Sequence, residues 1–257
     1  MRGHWEFYVC PVENYLASIA LDIGVGEELP LDGYPWLVAV SVKLQDPVDG
    51  GFTSPEEYPV LCEMEEELTK ALCGTLGGIE VGRVTGGGTR DFLFYLPKVT
   101  PVAAAVEEAM KAFPHEYKIH QQEEPQWPTY WEFLYPTTWQ KEMIRNRHLV
   151  EKMLESGDVP TMIRPVDYYV GLKNEEDAMT FQEEILKSGE EWKSAEINNR
   201  MEGDFPWQVH VVCLQAADLI TVNQRSGRVF ETVFKVDGEY EGWGSVICSE
   251  ESHSEEI

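Results

Sequence analysis

Two kinds of hydrophobic pattern alternate along the chain. Trp5 to Val9 and Leu16 to Ile23 have strand character, and Trp36 to Val42 is an apolar, β-branched run that predicts a buried strand. Asp46-Pro47 and Asp49-Gly50-Gly51 supply the turn that ends it. Ser54-Pro55-Glu56-Glu57 then signals a helix start, and Leu61, Met64, Leu68 and Leu72 follow at helical spacing with Glu63, Glu65, Glu66 and Glu67 expected on the solvated side. Ile79 to Val84 and Phe92 to Leu96 read as strands of a hairpin closed by Thr85-Gly86-Gly87-Gly88-Thr89. Val102, Val106, Met110 and Phe113 form a second helical stripe, and Tyr117 to His120 a closing strand. From Trp36 the predicted order is β-α-β-β-α-β, the split βαβ, ferredoxin-like plan.

The second half repeats it. Thr138 to Glu155 is a predicted helix with Met143, Val150 and Met153 inward, stopped by Ser156-Gly157-Asp158. A strand over Val166 to Leu172, a helix capped by Asn174 with Ala178, Phe181 and Ile185 inward, and a hairpin of Trp192 to Asn199 with Trp207 to Leu214 follow. Ala217 to Val236 satisfies both periods: its valines suit a helix, yet Val229 to Val236 would serve as a strand. Gly238 to Ile247 supplies the last strand. The expected class is α+β, two ferredoxin-like domains in tandem with antiparallel sheets and helices on one face. The domains fall at 1–136 and 137–248, followed by an acidic tail at 249–257. The aromatic segment Trp127, Tyr130, Trp131, Phe133 and Tyr135 near the boundary is too apolar for a linker and is expected to pack back on a domain.

Charge narrows the function. The 257 residues hold 46 acids and 20 Lys or Arg, net −26, with 22 acids and 8 bases before residue 138. Neither half has the clustered basic surface a phosphate backbone needs, so direct nucleic-acid binding is not expected, and the acidity points instead to a basic protein partner or to solubility alone. Cys10, Cys62, Cys73, Cys213 and Cys248 are odd in number and contain no CxxC pair, which suits reduced thiols in a cytoplasmic protein. No apolar run follows Arg2 as a secretory signal would require, and none is long enough for a membrane span.

No constellation of catalytic spacing emerges. His115 and His120 are five apart on an expected strand and so point to opposite sides; Cys248 and His253 make only a weak metal pair in the tail. Gly242-Trp243-Gly244-Ser245 lacks the flanking glycines of a nucleophile elbow. Paired acids such as Glu239 and Glu241 are expected by chance among so many. The expectation is a non-enzyme without cofactor or metal. Arg83, Arg90 and Tyr95 flank the first hairpin and could clamp an acidic small molecule or peptide, the alternative function.

Several pieces of the second half resemble the regulator of ribonuclease activity B (RraB) family of ribonuclease E inhibitors. They are Leu154 with Ser156-Gly157-Asp158, Arg164-Pro165-Val166-Asp167-Tyr168-Tyr169, Phe181, Gly189 and Gly238-Glu239-Tyr240-Glu241-Gly242-Trp243. Glu241 stands where the family carries Asp. The first half is similar to domain of unknown function 695, through Trp5 and Tyr8, Glu13-Asn14, Gly82-Arg83-Val84-Thr85, Gly88, Arg90 and Phe92-Leu93-Phe94-Tyr95. The RraB resemblance implies a ferredoxin-like fold and inhibition by binding the basic, non-catalytic part of a ribonuclease such as ribonuclease E. On that reading Asp158, Asp167, Glu239 and Glu241 would receive the partner's arginines, with Tyr168, Tyr240 and Trp243 as aromatic anchors.

Overall fold

The computed structural model describes residues 3–27, 33–98 and 101–249. The chain splits into two compact units, Met1–Pro136 and Thr137–Ile257. Both are α+β, built on antiparallel sheets.

The first unit runs β1 (Trp5–Val12), β2 (Tyr15–Asp22), a single helical turn α1 (Gly24–Glu27), β3 (Trp36–Lys43), a two-residue ribbon β4 (Pro47–Val48) and β5 (Phe52–Thr53), and α2 (Tyr58–Thr69). A π-helical turn over Lys70–Thr75 extends α2, and β6 (Ile79–Gly86), β7 (Thr89–Leu96), α3 (Ala103–Met110) and β8 (Tyr117–Glu123) follow. The six long strands pair antiparallel in the order β1-β2-β6-β7-β3-β8. β1 continues through Pro11 to Val12, beyond the predicted Val9, because as an edge strand it needs no amide from proline on its outer side. Gly87 and Gly88, at φ 58° and 84°, make the two-residue turn that brings β6 into register with β7.

Leu61, Met64, Leu68 and Leu72 of the α2 stripe are fully buried against Val38, Val40, Phe92 and Phe94. Ser54 caps a preceding turn, its hydroxyl accepting the Glu57 amide at 3.2 Å, and the helix proper starts at Tyr58. Glu65 departs from the expected solvated cluster: it is half-buried on Arg83. The aromatic segment after β8 packs on the sheet face away from α2. Trp127 stacks on Tyr95 with centroids 3.9 Å apart and donates its indole N–H to the Tyr34 carbonyl at 2.9 Å. The Tyr130 hydroxyl donates to the Asp22 carbonyl at 2.9 Å, and that of Tyr8 to the Leu134 carbonyl at 2.9 Å.

His115 corrects one expectation. It precedes β8 rather than sharing a strand with His120, and is buried with Nε2 3.0 Å from Glu57 Oε1. Burial pushes the Glu57 carboxyl up, but the amides of Gln45 and Asp46 and the His115 ring outweigh this and hold it below the ordinary range.

The second unit runs α4 (Thr138–Glu155), β9 (Arg164–Leu172), α5 (Glu175–Leu186), β10 (Trp192–Asn199), β11 (Trp207–Gln215), α6 (Leu219–Val233) and β12 (Glu239–Ser245). Its antiparallel sheet has the order β10-β11-β9-β12. Thr137 and Gln140 form a capping box at the start of α4. On α4, Val150 and Met153 are buried as expected, but Ile144 and Asn146 are buried where Met143 stays half-exposed. The ambiguous segment is helical: Asp218 accepts the Thr221 amide at 3.0 Å, and Val222, Val229 and Val233 turn inward. The tail residues 250–257, with His253, lie outside the described residues.

Candidate functional site

Strand period sorts the second unit's candidates onto two faces. Val166, Tyr168, Val170 and Leu172 of β9 point into the core with Val209, Val211 and Cys213 of β11. The alternate residues, Asp167 and Tyr169 on β9 with Gln208 and His210 on β11, lie on the other face, together with Glu196 of β10. Glu239 pairs opposite Gly171 and joins them. A bulge in β12 between Tyr240 and Gly242 turns Trp243 into the core; Glu241, of the same parity as Glu239, stays on the open face, where it meets Arg200 and accepts from Gln208 Nε2 at 2.9 Å. Gly171 makes this possible: a Cβ there would lie 2.8 Å from Glu241 Oε1 and 2.9 Å from Phe205 Cβ.

Three of the seven predicted partner residues, Asp167, Glu239 and Glu241, therefore share one accessible sheet face. His210 Nε2 sits 2.7 Å from Asp167 Oδ1, and the His210 ring stacks on Tyr169 at 4.9 Å. Tyr169 and His210 were missed in the sequence reading. Their signal was the parity of Val166 and Val170, which puts Tyr169, not Tyr168, on the outer side.

The other four lie in the core. Tyr168 is fully buried and its hydroxyl accepts from Gln215 Nε2 at 2.9 Å. Tyr240 donates to Ser226 Oγ at 3.1 Å, and Trp243 donates to Asn146 Oδ1 at 2.9 Å. Burial drives both tyrosine hydroxyls upward in pKa. Asp158 forms a buried bidentate pair with Arg164 and accepts the Cys248 amide at 2.8 Å. These groups organise the unit and are closed to a partner as the fold stands.

The first unit's trio is also divided. In the β6–β7 register Arg83 stands opposite Phe92 and Thr85 opposite Arg90, so both arginines occupy the face that carries α2. Tyr95 has the opposite parity, stacks beneath Trp127 and donates to Glu124 Oε2 at 2.6 Å. The expectation that the three line one pocket is corrected to two. Arg83 and Arg90 line a groove of about 360 Å³ with Trp5, Phe7, Phe52 and Tyr58. Long-range pairing brings in the ribbon and the β1 side chains that complete it, which no local pattern around Arg83 and Arg90 announces.

Among the described residues no three His, Cys, Asp or Glu side chains gather as a metal site. No described helix is long and apolar enough to cross a membrane.

Comparison with known proteins places these features. No curated protein matches the chain. Two solved structures are similar at low identity: an unknown protein from Galdieria sulphuraria (12% identity, 83% of this chain and 99% of that one, TM-score 0.23) and a candidate glycine cleavage system transcriptional repressor (10% identity, 83% and 98%, TM-score 0.26). Residues 143–245, the span of the acidic sheet face, match the family described as Regulator of ribonuclease activity B. Residues 3–135, more than half of the chain and the whole span of the arginine groove, match DUF695, and the chain belongs to this family of unknown function.

Proposed function

We propose that this chain is a non-enzymatic regulator of ribonuclease activity that acts by binding a basic protein segment, such as the arginine-rich part of ribonuclease E, on the open sheet face of its second unit. The observation that carries the reading is the gathering of Asp167, Glu196, Glu239 and Glu241 around the Tyr169–His210 stack, within the region that matches the RraB family. Arg200 and His210 now occupy Glu241 and Asp167, and an incoming guanidinium would compete for both. The acidic field accelerates encounter, and the flat aromatic stack offers a surface for arginine. The same field disfavours direct contact with nucleic acid, and the reading places the protein in the cytoplasm, where such a ribonuclease works.

The ferredoxin-like assignment belongs to this proposal. Its support is the sheet order: the fourth, first, third and second strands of the βαββαβ unit lie side by side in each half, as β8-β3-β7-β6 and β12-β9-β11-β10. The first domain is read as 1–136 and the RraB-like domain as 137–248.

The test is binding of the full chain to an arginine-rich peptide from the non-catalytic region of ribonuclease E, across a salt series. Affinity should fall as salt rises. Asp167→Asn with Glu241→Gln should weaken it roughly tenfold, two partly exposed charges being worth ~0.5–1 kcal/mol each. Absence of binding at low salt, or binding indifferent to both substitutions, would sink the assignment.

A further inference from the structure

Arg90 is an unusual cation for this chain. It is 4% exposed, and among the described residues it makes no ion pair, although its unit carries 22 acids and 8 bases. Its Nε donates to Thr85 Oγ1 at 2.9 Å and its Nη2 to Thr53 Oγ1 at 3.2 Å, while Nη1 is enclosed without a hydrogen-bond partner. A buried guanidinium satisfied only by hydroxyls is strongly disfavoured, and an anion would complete it. Burial, and then the nearby Arg83, weaken its hold on its proton, as expected of an uncompensated charge.

The surroundings specify the anion. Glu6 also lines the groove, its carboxylate 3.3 Å from His4 Nε2, and Arg83 is matched by Glu65; Arg90 is the groove cation that makes no ion pair among the described residues, which suits a monoanion. Thr85 and Thr53 accept from Arg90 and each keeps a hydroxyl proton to donate. Tyr58 lies over Arg90 and Trp5 over Arg83, both at 5.5 Å, covering one face of each guanidinium; Arg83 is held by Glu65, and on Arg90 the Nη1 group and the second Nη2 N–H remain for planar, forked recognition of a carboxylate. Trp5 and Tyr58 are 38% and 49% exposed and give the groove apolar walls.

We propose that the groove of the first unit binds a monocarboxylate with an aromatic or aliphatic body, its carboxylate on Arg90 between Thr53 and Thr85 and its body against Trp5 and Tyr58. The source is a free organic acid or the C-terminus of a peptide, which share this chemistry. This site is separate from the acidic face and does not depend on it.

The experiment is calorimetric titration of the full chain with 3-phenylpropionate, its neutral amide, inorganic phosphate, and an acetylated pentapeptide ending in Phe with a free or an amidated C-terminus. At least one free carboxylate binds, and the amides and phosphate do not; the acid and peptide arms identify the source. Arg90→Met keeps the fold, since it removes a cation without a counter-charge, and raises Kd at least about tenfold. Trp5→Ala, at an exposed edge position, weakens binding by removing an apolar wall and the cover of Arg83, while Arg90 keeps its bonds to Thr85 and Thr53. No binding of either carboxylate at millimolar concentration, equal binding of the amides or of phosphate, or full affinity in a folded Arg90→Met protein would each overturn the proposal.

Discussion

Asp158 separates a structural acid from a recognition acid, and its substitution has a magnitude that the geometry sets. Its carboxylate forks with Arg164, the Nη2–Oδ2 arm measuring 2.7 Å, and both residues are buried. In Asp158→Asn the guanidinium stays enclosed without a counter-charge: the amide oxygen and the carbonyls of Val159 and Val246, at 3.1 and 3.2 Å, remain as neutral acceptors, and the new amide N–H2 is a donor facing a donor. Removing one partner of a buried ion pair costs about 3–5 kcal/mol, or roughly two to three and a half powers of ten in the opening equilibrium. Hydrogen exchange of the β9 amides in the full chain reads this locally, with β3 of the first unit as an internal control. Asp158→Asn with Arg164→Met should recover most of the loss, because no charge is then left unpaired. The effect also has a sign in pH. Burial raises the Asp158 carboxyl, but Arg164 and the Cys248 amide prevail and hold it below its usual value. Its contribution is thus complete above the unfolded-state pKa of ~3.9 and is lost as pH falls through the lower folded value, so the gap between native and Asp158→Asn proteins should close in acid. A loss below about 1 kcal/mol at neutral pH would refute the reasoning, since only an exposed pair is worth so little.

Trp127→Ala removes the ring stacked on Tyr95 and the bond to Tyr34, and should destabilise the first unit by about 3–5 kcal/mol in urea unfolding; a loss under about 1 kcal/mol would show that the aromatic segment is not part of its core. Gly51→Ala should lower the melting temperature of the first unit by several degrees, the equivalent of ~1 kcal/mol or more, because φ there is +74° and the added Cβ would lie 2.5 Å from the Gly88 amide nitrogen; calorimetry showing no shift would contradict that approach.

Sequence by itself determined the local elements: helical stripes such as Leu61-Met64-Leu68-Leu72 and Ala178-Phe181-Ile185, the glycine hairpin, the cap at Asn174, and an α+β order repeated in two halves. These rest on spacing and on turn chemistry, which act between near neighbours. It also brought out Asp167, Glu239 and Glu241, but as members of a wider set. Which side of the sheet each residue faces depends on a parity of one: Tyr168 fills the core while Tyr169 stacks on His210, and Arg90 turns towards α2 while Tyr95 turns towards Trp127. A β-bulge at Glu241 shifts that parity again, and no local pattern announces it. Only the tertiary structure decided that Asp158 would spend its charge on Arg164 and that Arg90 would be left without a counter-charge, because burial and pairing are settled by strands brought together from distant parts of the chain.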